Sequence, residues 1–306
     1  MHDDQVDLDD ATARRLVVEQ FPEWSAESII RLHGSGTVNA IFRIGSALTA
    51  RFPINARDPL HAAAWLRQEA SALDEFADCI PFAAPRHVAF GRPGEGYPLP
   101  WTVQTWVDGD IATSDGVAAS TSFAGDLAML IRSLRAADTR GRTFERGGAG
   151  RGGDLRSQDE WMATCIRESA DLFDPEALTA LWAGLRELPR DGADVMCHGD
   201  LIPANVLVRE GRLSGVLDGG GFGPADPALE LVCAWHLLDA AARHVLRTQL
   251  GVDDLEWARG AAWAFAQAMG LGWYYRESNP VASRLGLSTV TRLTTDAEIL
   301  ASARGC

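Results

Sequence analysis

The chain has 306 residues, 46% hydrophobic and 23% charged, a balance that suits a globular protein able to bury one large core or two lobes. Its net charge of −14 argues against nucleic acid as the main partner and is compatible with a cationic ligand. No apolar run reaches membrane-spanning length, the acidic opening MHDDQVDLDD has no signal-peptide core, and five scattered cysteines form no CxxC pair; the expectation is a cytoplasmic protein with reduced thiols, without a disulfide frame or a zinc site.

Along the chain, residues 10–20 have helical spacing. Two short runs, NAIFRI and LTARFPI, flank Gly45-Ser46 and predict a β-hairpin. The stretch 61–77 is rich in helix formers, with Ala64, Leu66, Ala70 and Leu73 on its apolar face. Residues 85–91 and 100–109 read as two further strands. This gives a small β-rich lobe with one prominent helix, placed at 1–105. The remainder, 106–306, reads as mostly helical: an amphipathic helix at 121–138, a loop at 147–153 (GGAGRGG), and helices at 158–171, 175–188, 227–249, 253–277 and 288–303. Short strands are expected around 195–208 and 213–221. The fold class is therefore α+β, with a small β-rich N-lobe and a larger helical C-lobe.

The stretch VMCHGDLIPANVLV, 195–208, carries the chemistry. Phosphoryl transfer needs a carboxylate to accept the proton of the attacking hydroxyl, and oxygen ligands for Mg²⁺ on the nucleotide phosphates. Asp200 is the candidate base, Asn205 the first metal ligand and Asp218 the second. His198, Asp200 and Asn205 fit H-x-D-x-x-x-x-N, followed by an Asp-led metal motif, as in protein kinases. An Asx-type turn between strands is the structural alternative for Asp200 and Asn205. His198 is expected to brace the loop. A Cys197–His198 dyad is excluded, because neighbouring strand residues point to opposite faces. No G-x-S-x-G elbow is present, and with no Lys in the chain there is no Walker A loop.

The run HGDLIPANVLVREGRLSGVLDGGGFGPADPALEL resembles the core of the aminoglycoside phosphotransferase family, antibiotic kinases with a protein-kinase-like bilobal fold. LRQEASALDEF resembles that family's N-lobe helix, WTVQTWVDGD its lobe-connecting hinge, and GRGGDL and WYYRESNP recur in bacterial members. The resemblance implies ATP or GTP as phosphoryl donor, Mg²⁺ as cofactor and a small-molecule hydroxyl as acceptor. Hinge contacts to the nucleotide would come from Gln104, Trp106 and Val107.

The family usually sets a strand Lys against the phosphates. Here Arg51 stands in that place, with Glu69 as its natural partner and an ordinary surface ion pair as the alternative. HGSGTVN precedes the hairpin as a nucleotide-covering loop would, so Gly34, Ser35 and Gly36 are candidate phosphate contacts. Gly219, Gly220 and Gly221 follow Asp218 where members commonly carry a bulky aromatic, which implies a gap or a mobile segment. Asp226 is expected to cap the next helix and brace the loop. The tryptophans at 235, 257, 263 and 273 read as core.

Acidic candidates for the acceptor site are Asp108, Asp110, Asp154, Glu230 and Glu277, which with the net charge favour a cationic acceptor such as an aminoglycoside. The alternatives are a macrolide kinase, a kinase of a cellular metabolite, and a nucleotide-binding pseudo-enzyme acting as an interaction module.

Overall fold

A computed structural model describes residues 6–32, 38–55, 58–144 and 151–305. The chain divides into two compact units, Met1–Asp78 with Ala83–Asp108 and Val216–Gly221, and Cys79–Phe82 with Gly109–Gly215 and Phe222–Cys306.

The first unit opens with helix α1 (Asp10–Gln20), whose N-cap Asp9 accepts from the amide of Thr12. Strands β1 (Ile29–Leu32), β2 (Asn39–Ile44) and β3 (Leu48–Pro53) follow, then helix α2 (Pro59–Cys79) and strands β4 (His87–Gly91) and β5 (Trp101–Thr105). They form an antiparallel sheet of order β1-β2-β3-β5-β4. The expected hairpin is β2–β3, and Gly45, at φ +56°, turns the chain where a side chain would be strained and would meet Glu27. Burial alternates along β2, with Ala40, Phe42 and Ile44 inward. On β3, Ala50 and Phe52 are fully buried, so the same period turns Arg51 to the opposite face. The core is aromatic: Phe52 stacks on Trp101 at 4.5 Å and meets Phe42 edge-on at 5.6 Å. Tyr97 donates its hydroxyl to the carbonyl of Pro53 at 2.6 Å, and burial pushes its ionisation up.

The second unit contains strand β6 (Asp110–Ile111), helices α3 (Ser114–Val117), α4 (Thr121–Ala136), α5 (Asp159–Glu168) and α6 (Pro175–Leu185), strands β7 (Val195–Cys197), β8 (Val206–Arg209), β9 (Arg212–Val216) and β10 (Gly223–Ala225), and helices α7 (Val232–Leu237), α8 (Ala240–Leu250), α9 (Asp254–Tyr274), α10 (Pro280–Thr295) and α11 (Ala297–Arg304). β7 pairs with β10, and β6, β8 and β9 form a small sheet. Strand β10 has no counterpart in the sequence reading, because GPA lacks β-formers; its pairing with β7 creates it.

Two long helices expected from periodicity are broken by aspartates. The stretch 227–249 is a 3₁₀ turn, α7 and α8, because Leu238 is extended and Asp239 starts a new helix by accepting from the amide of Ala242. The helix expected at 288–303 is α10, capped by Asn279, and α11, capped by Asp296. Trp235, Trp257 and Trp263 are core residues as expected, while Trp273 is half-buried beside Trp161. Among the described residues no helix is long and apolar enough to cross a membrane.

At the centre of this unit α9 is buried along most of its length, and its Arg259 pairs with Asp226. Asp226 does cap the following turn, its Oδ1 accepting from the amide of Ala228 at 3.0 Å. Its Oδ2 accepts from Arg259 Nε at 3.1 Å and from Trp263 Nε1 at 3.0 Å. Arg259 also donates to the carbonyl of Leu188 at 2.6 Å. Both partners of this pair are almost fully buried, so removing the cation alone strands a buried carboxylate. Arg259→Leu is expected to lose about 3–5 kcal/mol of stability in denaturant unfolding, whereas an ordinary surface pair would cost about 0–1.

Candidate active site

In the second unit β7 delivers the chain into a loop knit by its own backbone. His198, nearly buried, accepts the amide of Asp200 on Nδ1 at 3.2 Å. Gly199 sits at φ +83°, a conformation that suits glycine. Its amide donates to Glu230 Oε1 at 2.8 Å. The carbonyl of Asp200 accepts from the amide of Ile202 at 2.8 Å and from Asn205 Nδ2 at 2.9 Å. A longer contact of 3.4 Å joins Asn205 Nδ2 to Asp200 Oδ2. Leu201 is fully buried and pins the loop from inside, while the Asp200 side chain stays 35% exposed.

The arrangement gives each residue a definite chemistry. Asn205 spends its amide nitrogen on the loop, and the side-chain oxygen is the atom left for a hard cation. Asp200 has a backbone fixed on three sides and a carboxylate that faces solvent. One of its oxygens, Oδ1, accepts from Arg151 Nη1. Sequence reading passed over Arg151; the only signal was its place in GRGGDL. Cys197 is fully buried, and burial raises its thiol well above the ordinary range, so it is no nucleophile.

In the first unit the 216–221 segment follows β9. Asp218 adopts a left-handed backbone at φ +61°, uncommon outside glycine and tolerated by aspartate. Arg51 Nη2 donates to its Oδ1 at 2.9 Å. Glu69 lies beside the same segment, since a side chain at Gly220 would come within 3.4 Å of its Oε1. The glycines do not leave the gap expected from sequence. A Cβ at Gly219 would strike the ring of Phe76, which is fully buried on α2, and one at Gly220 would crowd Glu69. The ring of Phe76 on α2 therefore occupies the space beside Gly219.

The expected hinge residues lie at and just after the end of β5. Gln104 lies opposite Thr49 in the sheet. Trp106 donates its amide to the carbonyl of Ala47 at 2.7 Å and its indole N–H to Asp108 at 2.7 Å, while Arg43 lies 4.3 Å over its ring. Val107 is buried. Gly34, Ser35 and Gly36 lie outside the described residues.

Of the acidic acceptor candidates, Asp108, Asp110, Asp154 and Glu277 are exposed. Asp154 also caps a 3₁₀ turn by accepting from the amide of Arg156 at 3.0 Å. Glu230, expected at the acceptor site, instead has no exposed surface and accepts from the amide of Gly199 in the loop, so it cannot meet an acceptor. Its composition gave no warning, because a Glu in a helical run ordinarily faces solvent. Burial raises its pKa from the ordinary 4.5, against the lowering effect of nearby His198.

Among the described residues no three His, Cys, Asp or Glu side chains gather to hold a metal.

Two expectations follow for the packing beneath the site. Gly219→Ala drives a methyl into Phe76 and is expected to lower stability by about 1–3 kcal/mol in denaturant unfolding, and Phe76→Leu in the same chain should recover part of the loss. Glu230 binds its proton more tightly folded than unfolded, so its contribution is fully present below the unfolded value of 4.5 and is lost as pH rises through the folded value. Glu230→Gln keeps the acceptor for Gly199 and removes that loss; unfolding measured from pH 4 upward should show its advantage over the parent growing with pH.

The profile of the phosphotransferase enzyme family matches residues 10–265. A search of curated protein sequences gives no match. Among solved structures, the GDP complex of wild-type aminoglycoside 2'-phosphotransferase-IIIa is similar with a TM-score of 0.67 and 19% identity, over 93% of this chain and 98% of that one. A GDP and kanamycin complex of APH(2")-IIIa has a TM-score of 0.67 at 18% identity, over 91% and 97%. The apoenzyme of macrolide 2'-phosphotransferase MphH from Brachybacterium faecium has a TM-score of 0.55 at 19% identity, over 86% and 91%. The kinase-like fold is therefore shared with aminoglycoside and macrolide phosphotransferases, and the chain belongs to the phosphotransferase enzyme family, whose members move a phosphoryl group to a hydroxyl.

Proposed function

We propose that this enzyme transfers the γ-phosphoryl group of ATP or GTP to a hydroxyl of a small cationic antibiotic of the aminoglycoside class. The observation that carries the reading is the loop around Asp200: its carbonyl is bound by Asn205 Nδ2 at 2.9 Å, while its carboxylate stays 35% exposed. Such a loop holds a base still and leaves it reachable, which is the positioning that phosphoryl transfer demands. The nucleotide-binding role belongs to the lobe 1–105, with Arg51 and the hinge residues Gln104, Trp106 and Val107 as its contacts. Catalysis and acceptor binding belong to 106–306.

Asp200 accepts the hydroxyl proton and aims the oxygen at phosphorus. His198 holds the loop through the amide of Asp200 and touches no reactant in this reading. Asn205 and Asp218 are the oxygen donors for Mg²⁺, which when bound neutralises charge on the nucleotide phosphates. Arg51 supplies the cation for the α/β-phosphates in a chain without lysine, and Glu69 lies close enough to the 218–221 segment to support it. The net charge of −14 and the exposed Asp108, Asp110, Asp154 and Glu277 support a cationic acceptor. The similar structure bound to GDP and kanamycin supports the class.

The test is nucleoside-diphosphate release with ATP and with GTP, offering kanamycin, erythromycin and choline in turn. Kanamycin is expected to give the highest kcat/KM. Preference for erythromycin or choline would replace the acceptor class and leave the reaction in place. Asp200→Asn is expected to lower turnover by about two to four decades with nucleotide affinity nearly unchanged. Parent-like turnover in that variant would remove Asp200 as the base. Arg51→Ala is expected to raise the nucleotide KM and lower kcat together, since the same cation orients the leaving group.

A further inference from the structure

Arg151 lies on the carboxylate assigned as the base, and its place there is built. The residue that follows, Gly152, has φ +88°, and a Cβ on it would come within 2.6 Å of the Ala225 Cβ. The carbonyl of Gly152 accepts the amide of Asp226 at 2.9 Å. Gly152, Gly153 and Leu155 are buried. The backbone beside Arg151 is therefore clamped to the core of the second unit, while the Arg151 side chain is 52% exposed and able to turn. Its Nη1 donates to Asp200 Oδ1.

The chemistry of transfer puts another anion within reach of that guanidinium. The hydroxyl held by Asp200 must approach phosphorus to about 3–3.5 Å before reaction. A cation that touches the same carboxylate is then within one side-chain swing of the three equatorial phosphoryl oxygens, over which the transition-state charge is spread. The planar fork of arginine can reach a carboxylate and a phosphoryl oxygen through different N–H groups. No lysine exists anywhere in the chain to serve instead.

We propose that Arg151 is the cation that meets the transferred phosphoryl group, resting on Asp200 and turning to the phosphoryl oxygens as the acceptor hydroxyl takes its place on the carboxylate. The inference rests on the reading of Asp200 as base. In the step, the acceptor oxygen forms its bond to phosphorus as the bond from phosphorus to the β,γ-bridging oxygen breaks. The electron pair leaves with the nucleoside diphosphate, and the hydroxyl proton passes to Asp200. Arg151 keeps all its protons and acts through hydrogen bonds and charge.

The experiment compares the parent, Arg151→Ala, Arg151→Lys and Asp200→Asn, using the full chain with Mg²⁺ throughout. Two readouts avoid dependence on the acceptor: hydrolysis of ATP and GTP by water, and calorimetric affinity for ADP and GDP with and without aluminium fluoride, a mimic of the phosphoryl group in flight. In the parent, aluminium fluoride should tighten diphosphate binding. Arg151→Ala should lose that gain, keep the diphosphate affinity within about threefold, and hydrolyse nucleotide about 10²–10³ times more slowly, the usual loss for one donor aimed at developing charge. Arg151→Lys should recover part of both, and added guanidinium should partly restore Arg151→Ala, which a structural role would not allow. Parent-like hydrolysis and aluminium fluoride gain in Arg151→Ala would reduce Arg151 to a surface ion pair. Faster hydrolysis would make it a blocking residue, and absence of any gain in the parent would also overturn the proposal. Asp200→Asn separates the two readings: a slow Asp200→Asn beside a parent-like Arg151→Ala sinks this inference alone, while a parent-like Asp200→Asn sinks the base assignment.

Discussion

A buried carboxylate, that of Asp226, sets the position of nearly everything that matters in the second unit. A carboxylate with 2% of its surface exposed needs hydrogen-bond partners to offset its lost hydration. Asp226 finds them in Arg259, Trp263 and the amide of Ala228. Each of these bonds has a consequence at the site. The cap at Ala228 starts the turn that carries Glu230 beneath Gly199. The amide of Asp226 holds Gly152, and therefore Arg151, while its carbonyl receives the thiol of Cys197 at the end of β7. The loop that presents Asp200 is thus suspended between a strand pair and a buried ion pair, with little freedom of its own.

Much of this architecture is legible in the sequence, for physical reasons that differ by element. The β2–β3 hairpin is visible because two runs of β-formers surround a turn that requires positive φ. Helix α4 is visible because its five buried anchors, Phe123, Leu127, Leu130, Ile131 and Leu134, recur at helical spacing. The order His198, Asp200, Asn205, Asp218 is visible as a spaced motif, and the first three share one hydrogen-bonded loop. What stayed hidden depends on packing at long range. The ring of Phe76 fills the space beside Gly219 across 143 positions of sequence, and no local pattern announces it. Strand β10 exists only through its partner β7, and the breaks at Asp239 and Asp296 override continuous helical periodicity by capping. Glu230 was misplaced because charge alone argues for the surface, whereas here one oxygen serves the backbone of the loop.

The absence of lysine has a coherent outcome at the two carboxylates. In the first unit Arg51 lies on Asp218, and in the second Arg151 lies on Asp200. Each of these carboxylates thus rests on a guanidinium of its own unit, across side chains that remain 21–52% exposed. Pairs exposed to this degree add little to stability. A guanidinium that rests on a carboxylate is already in place for a phosphate, and exchanging one oxyanion for another changes the charge state of neither arginine. Under the proposed mechanism each arginine would exchange one oxyanion for another, and binding that only swaps equivalent partners lowers the ground state little.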